Sequence, residues 1–328
     1  MRLFSLANYR LKYAELGRRP STFDLPILLS IALLNSIRNR DFSYSRYFDA
    51  LRIWRAYRYP EINILVASKP NIELLCVAAP KDFETLFCSV ESAIKFSGNV
   101  IDKVTVITTG NGLNECLGIF RKLDHKVNVI DEDTLLSSVD RERILKKFEG
   151  RYGWVLQQIL AVQYISTSKS SGVLLLNSDT ILLRSMDFLD ENKNQILMVS
   201  TEFHPPYYKL LNKLIGSSVN PKWTFITHHM LFQPWILREI IRVFKINNVS
   251  NLINWLITHV EPGDESPLCV EFELYAQGML QLYPEFVKLR KFSNISLPRT
   301  SMTIEEDQKK HTNLKVSKFN SCSYHDYI

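Results

Sequence analysis

Residues 174–180 read Leu-Leu-Leu-Asn-Ser-Asp-Thr, and this stretch decides the class of the fold. With Val173 before them, the three leucines form a continuous apolar run, which is typical of a strand buried on both faces of a parallel sheet. Asn177 and Asp179 follow this run directly. The strand therefore ends in side-chain oxygens of the kind that hard divalent cations bind. An Asx turn that simply ends the strand is the alternative interpretation.

Upstream of this stretch the sequence alternates between strand-like and helix-like segments. Apolar runs predict strands, and apolar residues spaced four apart predict amphipathic helices. We predict strands over 72–79, 104–109 and 126–130, and helices over 83–96, 141–148 and 154–165. Such alternation indicates a parallel sheet with right-handed crossovers. The sequence therefore predicts an α/β fold with a mainly parallel, Rossmann-like sheet that is flanked by helices.

Polar residues follow each of the three upstream strands. They lie at 79–82, where the acidic residue is Asp82, at 108–111 and at 131–133. In open parallel sheets, ligands bind at the carboxyl ends of the strands. These segments are therefore candidates for a nucleotide site, although polar residues also follow strands that bind nothing.

Two histidines interrupt an apolar segment further downstream. A strand over 198–200 ends near Glu202, and the segment 225–232 then contains His228 and His229. Neighbouring side chains on a strand point to opposite faces, so one of the two should face inward. A buried, hydrogen-bonded histidine is the ordinary structural explanation, and a place beside the site is the functional one.

Glu271 and Glu273 occupy alternate positions in the segment 269–275. On a strand the two carboxylates would share a face. On a helix they would lie about 200° apart, so that only one could reach a common site. A carboxylate at such a site could act as a general base, and solvent-exposed charge is the alternative.

The N-terminal 70 residues form a separate, basic region. Residues 1–60 contain eleven Lys and Arg against four Asp and Glu, while the whole chain carries +6, so the remainder is close to neutral. We predict a helical appendage over 1–70 whose residues 1–60 contact an anionic membrane surface, with a solvated helical face as the alternative. Its apolar stretch, 25–34, has about half of the ~20 residues that a membrane span needs. No recognised nucleic-acid motif accompanies the charge, so we expect no nucleic-acid partner.

The composition excludes fibrous and disulfide-stabilised classes of protein. Of the 328 residues, 46% are hydrophobic, and only 11 are glycine. The five cysteines are odd in number and scattered, without the spacing of a zinc site. This usage favours a reducing compartment, and we expect a cytoplasmic location.

Four segments occur in an order that resembles a known family. They are 153–160, 175–184, 227–232 and 271–275. Together they are similar to bacterial glycosyltransferases known as the domain of unknown function DUF6492, which are related to GT-A enzymes that carry a DxD motif. The resemblance covers the chain from about residue 71 to its C-terminus. It implies a GT-A fold, a UDP- or GDP-sugar donor, a Mn²⁺ or Mg²⁺ ion, a glycan or lipid-linked acceptor, and a role in polysaccharide biosynthesis.

The resemblance also implies roles for particular side chains. Asp179 would bind the metal, with Asn177 at the first DxD position and His325 as a further ligand. The remaining donor-binding residues are predicted as Asp82, Gln157 and Gln158, the catalytic carboxylates as Glu271 and Glu273, and the acceptor side as Glu202, His228 and His229. Because Asn177 carries no charge, the alternative is a catalytically weakened GT-A-fold protein that binds a glycan or a nucleotide.

Overall fold

The computed structural model describes residues 25–27, 29–30, 32–33, 51, 54, 69–215, 223–246, 248–260, 271–299 and 319–325. The described positions between 25 and 33 are helical. Almost all of the predicted appendage, 1–70, lies outside the described residues, as does Cys269. Its contact with a membrane surface therefore stays a prediction. The described helices include none that is long and apolar enough to cross a membrane.

The described elements alternate as the sequence indicated. The strands are β1 (Ile72–Val77), β2 (Ile101–Thr108), β3 (Val127–Asp131), β4 (Val173–Leu176), β5 (Thr180–Leu182), β6 (Gln195–Val199), β7 (His229–Phe232), β8 (Val287–Lys291), β9 (Asn294–Pro298) and β10 (Ser321–His325). The helices are α1 (Phe83–Phe96), α2 (Leu113–Phe120), α3 (Ser138–Lys147), α4 (Tyr152–Thr167), α5 (Pro205–Ile215), α6 (Pro234–Val243), α7 (Val249–His259) and α8 (Phe272–Leu282).

A five-stranded central sheet organises these elements. Its strand order is β3-β2-β1-β4-β7, with β1, β2, β3 and β4 parallel and β7 antiparallel to β4. In the sheet, β2 and β3 lie on one side of β1, and β4, the next strand of this sheet along the chain, lies on its other side. The strand order therefore reverses between β1 and β4. The predicted α/β class, with a mainly parallel sheet flanked by helices, is confirmed.

The two faces of this sheet belong to two hydrophobic cores. In β1, Leu74 and Cys76 point to the core formed with α1 and α2, whereas Leu75 and Val77 point to the core formed with α4, α6 and α8. Leu74, Leu75 and Cys76 are fully buried. Full burial of one such aliphatic side chain stabilises the fold by about 1.5–3 kcal/mol, so this strand is a main source of stability.

Helix α1 has the boundaries that the sequence predicted. Leu86, Val90 and Ala93 recur three to four residues apart and are fully buried against the sheet. The helix ends before Gly98, where an added Cβ would lie 1.9 Å from a carboxylate oxygen of Asp187. A larger residue at this turn would therefore force the Asp187 carboxylate to move away from its present position.

A second, three-stranded sheet joins distant parts of the chain. Strand β10 lies between β5, to which it is antiparallel, and β9, to which it is parallel. Because β5 follows the Asn-Ser-Asp stretch directly, this pairing carries β10 to the carboxyl end of β4. Strands β6 and β8 form a separate parallel pair.

Candidate functional site

A cavity of about 730 Å³ opens at the carboxyl ends of β1 and β4. Lys81 and Asp82, which follow β1, line it together with Asn177 and Asp179, which follow β4. The volume is within the usual range of ligand pockets, and the place is the reversal of strand order where open α/β sheets bind ligands. The segments 108–111 and 131–133, predicted as further candidates, contribute no residue to the lining.

The Asn-Ser-Asp turn is held in place by its own backbone. Asn177 N donates to His228 O at 3.0 Å, and Thr180 N donates to Asn177 O at 3.2 Å. From α1, Ser89 Oγ donates to Ser178 O at 3.0 Å. These bonds fix the turn from three sides, so the side chains of Asn177 and Asp179 face the cavity without depending on a bound ligand.

His325 lies beside Asp179 because β10 pairs with β5. Tyr324 N donates to Asp179 O at 2.9 Å, and the next residue places its imidazole Nδ1 3.3 Å from Asp179 Oδ2. His325 is almost fully buried, whereas Asp179 keeps 27% of its side chain exposed. The predicted association of these two residues is therefore present in the fold, and the carboxylate still faces the cavity.

The two adjacent histidines point in different directions, as expected for a strand. His228 lines the cavity, and its ring centroid lies 5.0 Å from that of His325. Burial lowers the pKa of His228 to about 4, although the negative charge of Asp179 partly opposes this. Its imidazole is therefore neutral at neutral pH.

His229 has to be removed from the predicted acceptor side. It belongs to β7 and packs in the core between the rings of Phe188 and Phe292, with centroid distances of 5.7 and 5.6 Å. Burial lowers its pKa to about 3. Neither ring nitrogen has a hydrogen-bond partner among the described residues. His229 does not line the cavity because β-strand alternation turns it to the opposite side from His228.

Glu271 and Glu273 separate because their segment is helical. Glu271 precedes α8 and lines the cavity. Its Oε2 is buried without a hydrogen-bond partner in the described part of the chain, and burial raises the pKa of Glu271 to about 8. This carboxyl group is therefore mostly protonated at neutral pH.

The predicted catalytic role of Glu273 is corrected by its position. Its Oε1 accepts from Tyr208 Oη at 2.7 Å and from Phe225 N at 2.5 Å, and its Oε2 accepts from Gln277 at 3.0 Å. Glu273 does not line the cavity, because two helical positions rotate it away from Glu271. It joins α8 to α5 and to the segment before β7.

The same separation applies to Gln157 and Gln158. Gln157 lines the cavity from α4, whereas Gln158 is buried and its Nε2 donates to Trp154 O at 3.4 Å. Gln158 is therefore a structural residue and not the predicted donor contact. Glu202, predicted for the acceptor side, does line the cavity.

Arg299 is a cavity residue that the sequence did not reveal. Its Nη1 donates to Asp82 Oδ1 at 2.8 Å, and its Nη2 donates to Thr85 Oγ1 at 2.6 Å. Its backbone N donates to His325 O at 2.9 Å. Together with Lys81 it brings positive charge to the carboxyl end of β1, as an anionic ligand requires.

Aromatic side chains form a second group that sequence reasoning missed. Trp154 from α4, Phe203 and His204 just before α5, and Tyr207 in the first turn of α5 all line the cavity. The Trp154 and Tyr207 rings are stacked, with centroids 6.4 Å apart and an interplanar angle of 23°. Trp154 lies within the segment 153–160 of the family resemblance, and Tyr207 follows Glu202 by five residues, but nothing local indicated that their rings meet.

The cavity provides donors for a divalent cation, but they form an incomplete set. Within the described residues there is no group of three or more His, Cys, Asp and Glu side chains that could hold a metal ion. Asp179 and His325 supply one carboxylate and one imidazole 3.3 Å apart, and Asn177 adds an amide oxygen in the same cavity. The carboxylate and amide oxygens suit Mn²⁺ or Mg²⁺, whereas the imidazole suits a transition metal better than Mg²⁺, and a ligand such as a diphosphate would have to complete the coordination.

No family model matches the chain, and no curated protein matches it either. Solved structures that are similar include mouse xyloside xylosyltransferase 1 in its apo form, at 11% identity and a TM-score of 0.44, covering 78% of this chain and 98% of that one. The galactosyltransferase LgtC with donor and acceptor sugar analogs is 10% identical, with a TM-score of 0.45 and coverages of 77% and 86%. The bifunctional glycosyltransferase WbbM in its apo form is 9% identical, with a TM-score of 0.41 and coverages of 80% and 47%. Identities and TM-scores this low assign no function.

Proposed function

We propose that the protein is a glycosyltransferase that moves a sugar from a nucleotide-sugar donor to a hydroxyl group of a glycan or lipid-linked acceptor. The observation that carries the proposal is the pairing of Asp179 with His325, 3.3 Å apart, at the reversal of strand order. A carboxylate and an imidazole at this place suit a metal-bound diphosphate. The DUF6492 resemblance supports the same reading.

The charged part of the cavity is proposed to bind the donor. Asp179, His325 and Asn177 would hold Mn²⁺ or Mg²⁺, and the ion would neutralise charge on the leaving nucleoside diphosphate. Lys81 and Arg299 lie in the same cavity and would attract the diphosphate. Arg299 is held by Asp82 and Thr85, so its guanidinium is oriented before any ligand binds.

Glu271 is proposed as the catalytic carboxyl group. During transfer the acceptor oxygen bonds to the anomeric carbon, the bond from that carbon to the diphosphate breaks, and the acceptor hydroxyl loses its proton. Because its pKa is raised to about 8, Glu271 would donate a hydrogen bond to a sugar hydroxyl at neutral pH. Its ionised form, which grows as the pH approaches 8, would accept the acceptor proton.

A catalytically weakened binding protein is the second candidate, and Asn177 is the observation that favours it. An amide at this position gives the metal one negative charge fewer than a second carboxylate would. Replacing Asn177 with Asp discriminates between the two candidates. If the protein is an active transferase, the wild-type chain already turns over the donor. If it is a weakened binding protein, donor hydrolysis appears only in Asn177→Asp.

Calorimetric titration of the full chain with UDP-glucose, UDP-galactose, UDP-N-acetylglucosamine and GDP-mannose tests the proposal. We expect one of these to bind, and to bind more tightly in the presence of MnCl₂. Asp179→Asn should lose the metal-dependent part of the affinity. Asp102→Asn, the same change at an exposed position on β2, should lose none. If none of the four binds with or without Mn²⁺, the proposal fails.

The proposal also includes finer points about substrates, location and partners. These are the choice between a UDP- and a GDP-sugar, a lipid-linked acceptor, a role in polysaccharide biosynthesis and a cytoplasmic location. A membrane contact through residues 1–60 is also part of the proposal. Flotation with liposomes that contain phosphatidylserine, compared between the full chain and a chain lacking residues 1–60, tests the last point. Equal flotation of the two would contradict it.

A further inference from the structure

Four side chains form what we call the aromatic wall of the cavity: Trp154, Phe203, His204 and Tyr207. Within it, Trp154 stacks on Tyr207, and the His204 and Tyr207 ring centroids lie 4.6 Å apart at 64°. All four side chains are partly exposed. The residues come from α4, from the segment that leads into α5 and from the first turn of α5, whereas Asn177 and Asp179 follow a strand of the central sheet. The wall is therefore built by other elements than the proposed metal site.

Neighbouring side chains, most of them buried, contact the residues of the aromatic wall. Phe203 stacks on Tyr208 at a centroid distance of 4.7 Å, and Tyr208 Oη donates to the buried carboxylate of Glu273 at 2.7 Å. Gln158, also buried, bonds the backbone of Trp154. The guanidinium of Arg151 lies 5.6 Å from the Trp154 ring centroid. These contacts hold the aromatic faces in one arrangement, which reduces the entropy lost on binding.

Groups that bind hydroxyls line the same cavity. Gln157 lies one residue along the chain from the buried Gln158, and Glu202 directly precedes the aromatic segment. Glu271 adds a third polar side chain. A pyranose ring has an apolar C–H face and a rim of hydroxyls. Its C–H bonds carry partial positive charge, which the negative face of an aromatic ring attracts. Aromatic faces beside an amide and two carboxyl groups match both parts of such a ring.

We infer that the aromatic wall is the subsite for the acceptor, and that it takes a neutral sugar by packing the ring's C–H face against the parts of Trp154 and Tyr207 that remain exposed to the cavity. This inference rests on the proposed function. Glu202 and Gln157, which the sequence predicted as a donor contact, hydrogen-bond the hydroxyls of this acceptor ring. The carboxylate of Glu202 repels an anionic sugar, so uronic acids are disfavoured.

The experiment is saturation-transfer NMR on the full chain with MnCl₂ and UDP or GDP, whichever binds more tightly. The probes are methyl β-glucopyranoside, methyl β-galactopyranoside, methyl α-mannopyranoside and methyl β-glucuronide. We expect saturation of ring C–H protons for at least one neutral glycoside and none for the glucuronide. Trp154→Ala and Tyr207→Ala should each weaken the binding of that glycoside about tenfold or more, because the stacking face is lost.

The matched control is Trp235→Ala, which removes an exposed tryptophan from α6, outside the cavity lining. It should leave glycoside binding unchanged, and all three variants should keep the affinity for the nucleotide within twofold. Trp154→Phe keeps an aromatic face and should retain most of the binding. This second variant maintains the test if Trp154→Ala does not fold.

Two results would overturn the inference. One is a wild-type chain that binds nucleotide but saturates no neutral glycoside. The other is a loss of nucleotide affinity in Trp154→Ala, which would make the wall a nucleobase site. A chain that binds glycosides through the wall but no donor in calorimetry would keep the wall assignment and refute the proposed transferase. The two failures are therefore distinguishable.

Discussion

Glu73 and Glu271 each have a carboxyl oxygen shielded from solvent, but the chain treats the two groups in opposite ways. Glu73 is 1% exposed, whereas Glu271 is partly exposed and only its Oε2 is buried. Glu73, in β1, accepts hydrogen bonds from Tyr164 Oη at 2.5 Å and from Thr105 Oγ1 at 2.7 Å. Two serines also donate to its carboxylate, and its Oε1 lies 2.8 Å from Lys103 Nζ. Burial raises its pKa, but the hydrogen bonds from Lys103, Tyr164 and Thr105 outweigh burial, and the resulting pKa lies below 4.5. Glu73 is therefore an ionised, fully satisfied structural group.

Glu271 lacks such a network. Its Oε2 has no hydrogen-bond partner within the described residues, and burial raises its pKa to about 8, although a hydrogen bond from its own backbone partly opposes this. An unsatisfied buried polar group costs stability, and perturbed groups in clefts often serve a function. The contrast teaches that hydrogen bonding, more than burial, sets the charge of the two carboxyl groups. The fully satisfied carboxylate belongs to the fold, and the one with an unpaired oxygen lines the cavity.

The largest effect that tests this contrast is expected at the cavity. Asp179→Asn should reduce sugar transfer about 10³-fold or more, because it removes the charge that we propose to bind the metal. Its free energy of unfolding should change by less than about 1 kcal/mol, since Asp179 is partly exposed. Initial rates with the best donor and urea unfolding measure both quantities. A loss of stability without a loss of rate would place Asp179 with the structural groups.

Glu73→Ala should show the opposite pattern. We expect a loss of about 3 kcal/mol in the free energy of unfolding, because the substitution leaves Tyr164, Thr105 and Lys103 without their shared acceptor. Donor affinity should stay within twofold. Glu91→Gln, an exposed position on α1, is the control and should be nearly neutral. If donor affinity fell together with stability in Glu73→Ala, Glu73 would serve the site as well as the fold.

Glu271→Gln should stabilise the protein at neutral pH by about 2–3 kcal/mol. The folded pKa of about 8 lies above the ordinary 4.5, so between these values the unfolded chain releases a proton that the folded chain keeps. Wild-type stability therefore falls as the pH rises from 4.5 to 8, and the variant removes this slope. Unfolding curves at several pH values measure it, and sugar transfer should meanwhile fall. An unchanged slope would mean that Glu271 is already ionised.

His229→Leu should have the smallest effect, and only in acid. The folded pKa of about 3 lies below the ordinary 6.5, so wild-type stability is lost as the pH falls from 6.5 toward 3. At pH 5 the variant should be more stable than wild type by about 2 kcal/mol, and at pH 7.5 the two should agree within about 1 kcal/mol. Thermal unfolding at the two pH values checks this. If the variant differed from wild type by the same amount at both pH values, packing and not the titration of His229 would explain the difference.

The sequence predicted the parts of the fold that depend on local pattern. The boundaries of α1 followed from apolar spacing, and β4 followed from its run of four apolar residues. Asp82, Asn177 and Asp179 were found because parallel strands bring their carboxyl ends to one edge. Arg299 could not be found in this way. It reaches Asp82 only through the pairing of β9 with β10, which no local pattern encodes.

The choice between Glu271 and Glu273 shows a different limit. Alternating acidic and apolar residues fit a strand as well as a short helix, so periodicity left both carboxylates open. The helix α8 decides between them, since it turns one into the cavity and the other toward Tyr208. The aromatic wall was missed because Trp154 and Tyr207 belong to separate helices and meet only in three dimensions.

The position of β10 in the chain also has a consequence for synthesis. Strand β5 follows Asp179 directly, but its partner and the His325 imidazole are translated much later. At about 5–20 residues per second, a ribosome needs roughly 7–30 s to make the intervening chain. During that interval one edge of β5 lacks its native neighbour and Asp179 lacks its histidine. The cavity of a nascent chain therefore stays incomplete until β10 has been made, even when the central sheet upstream is already present.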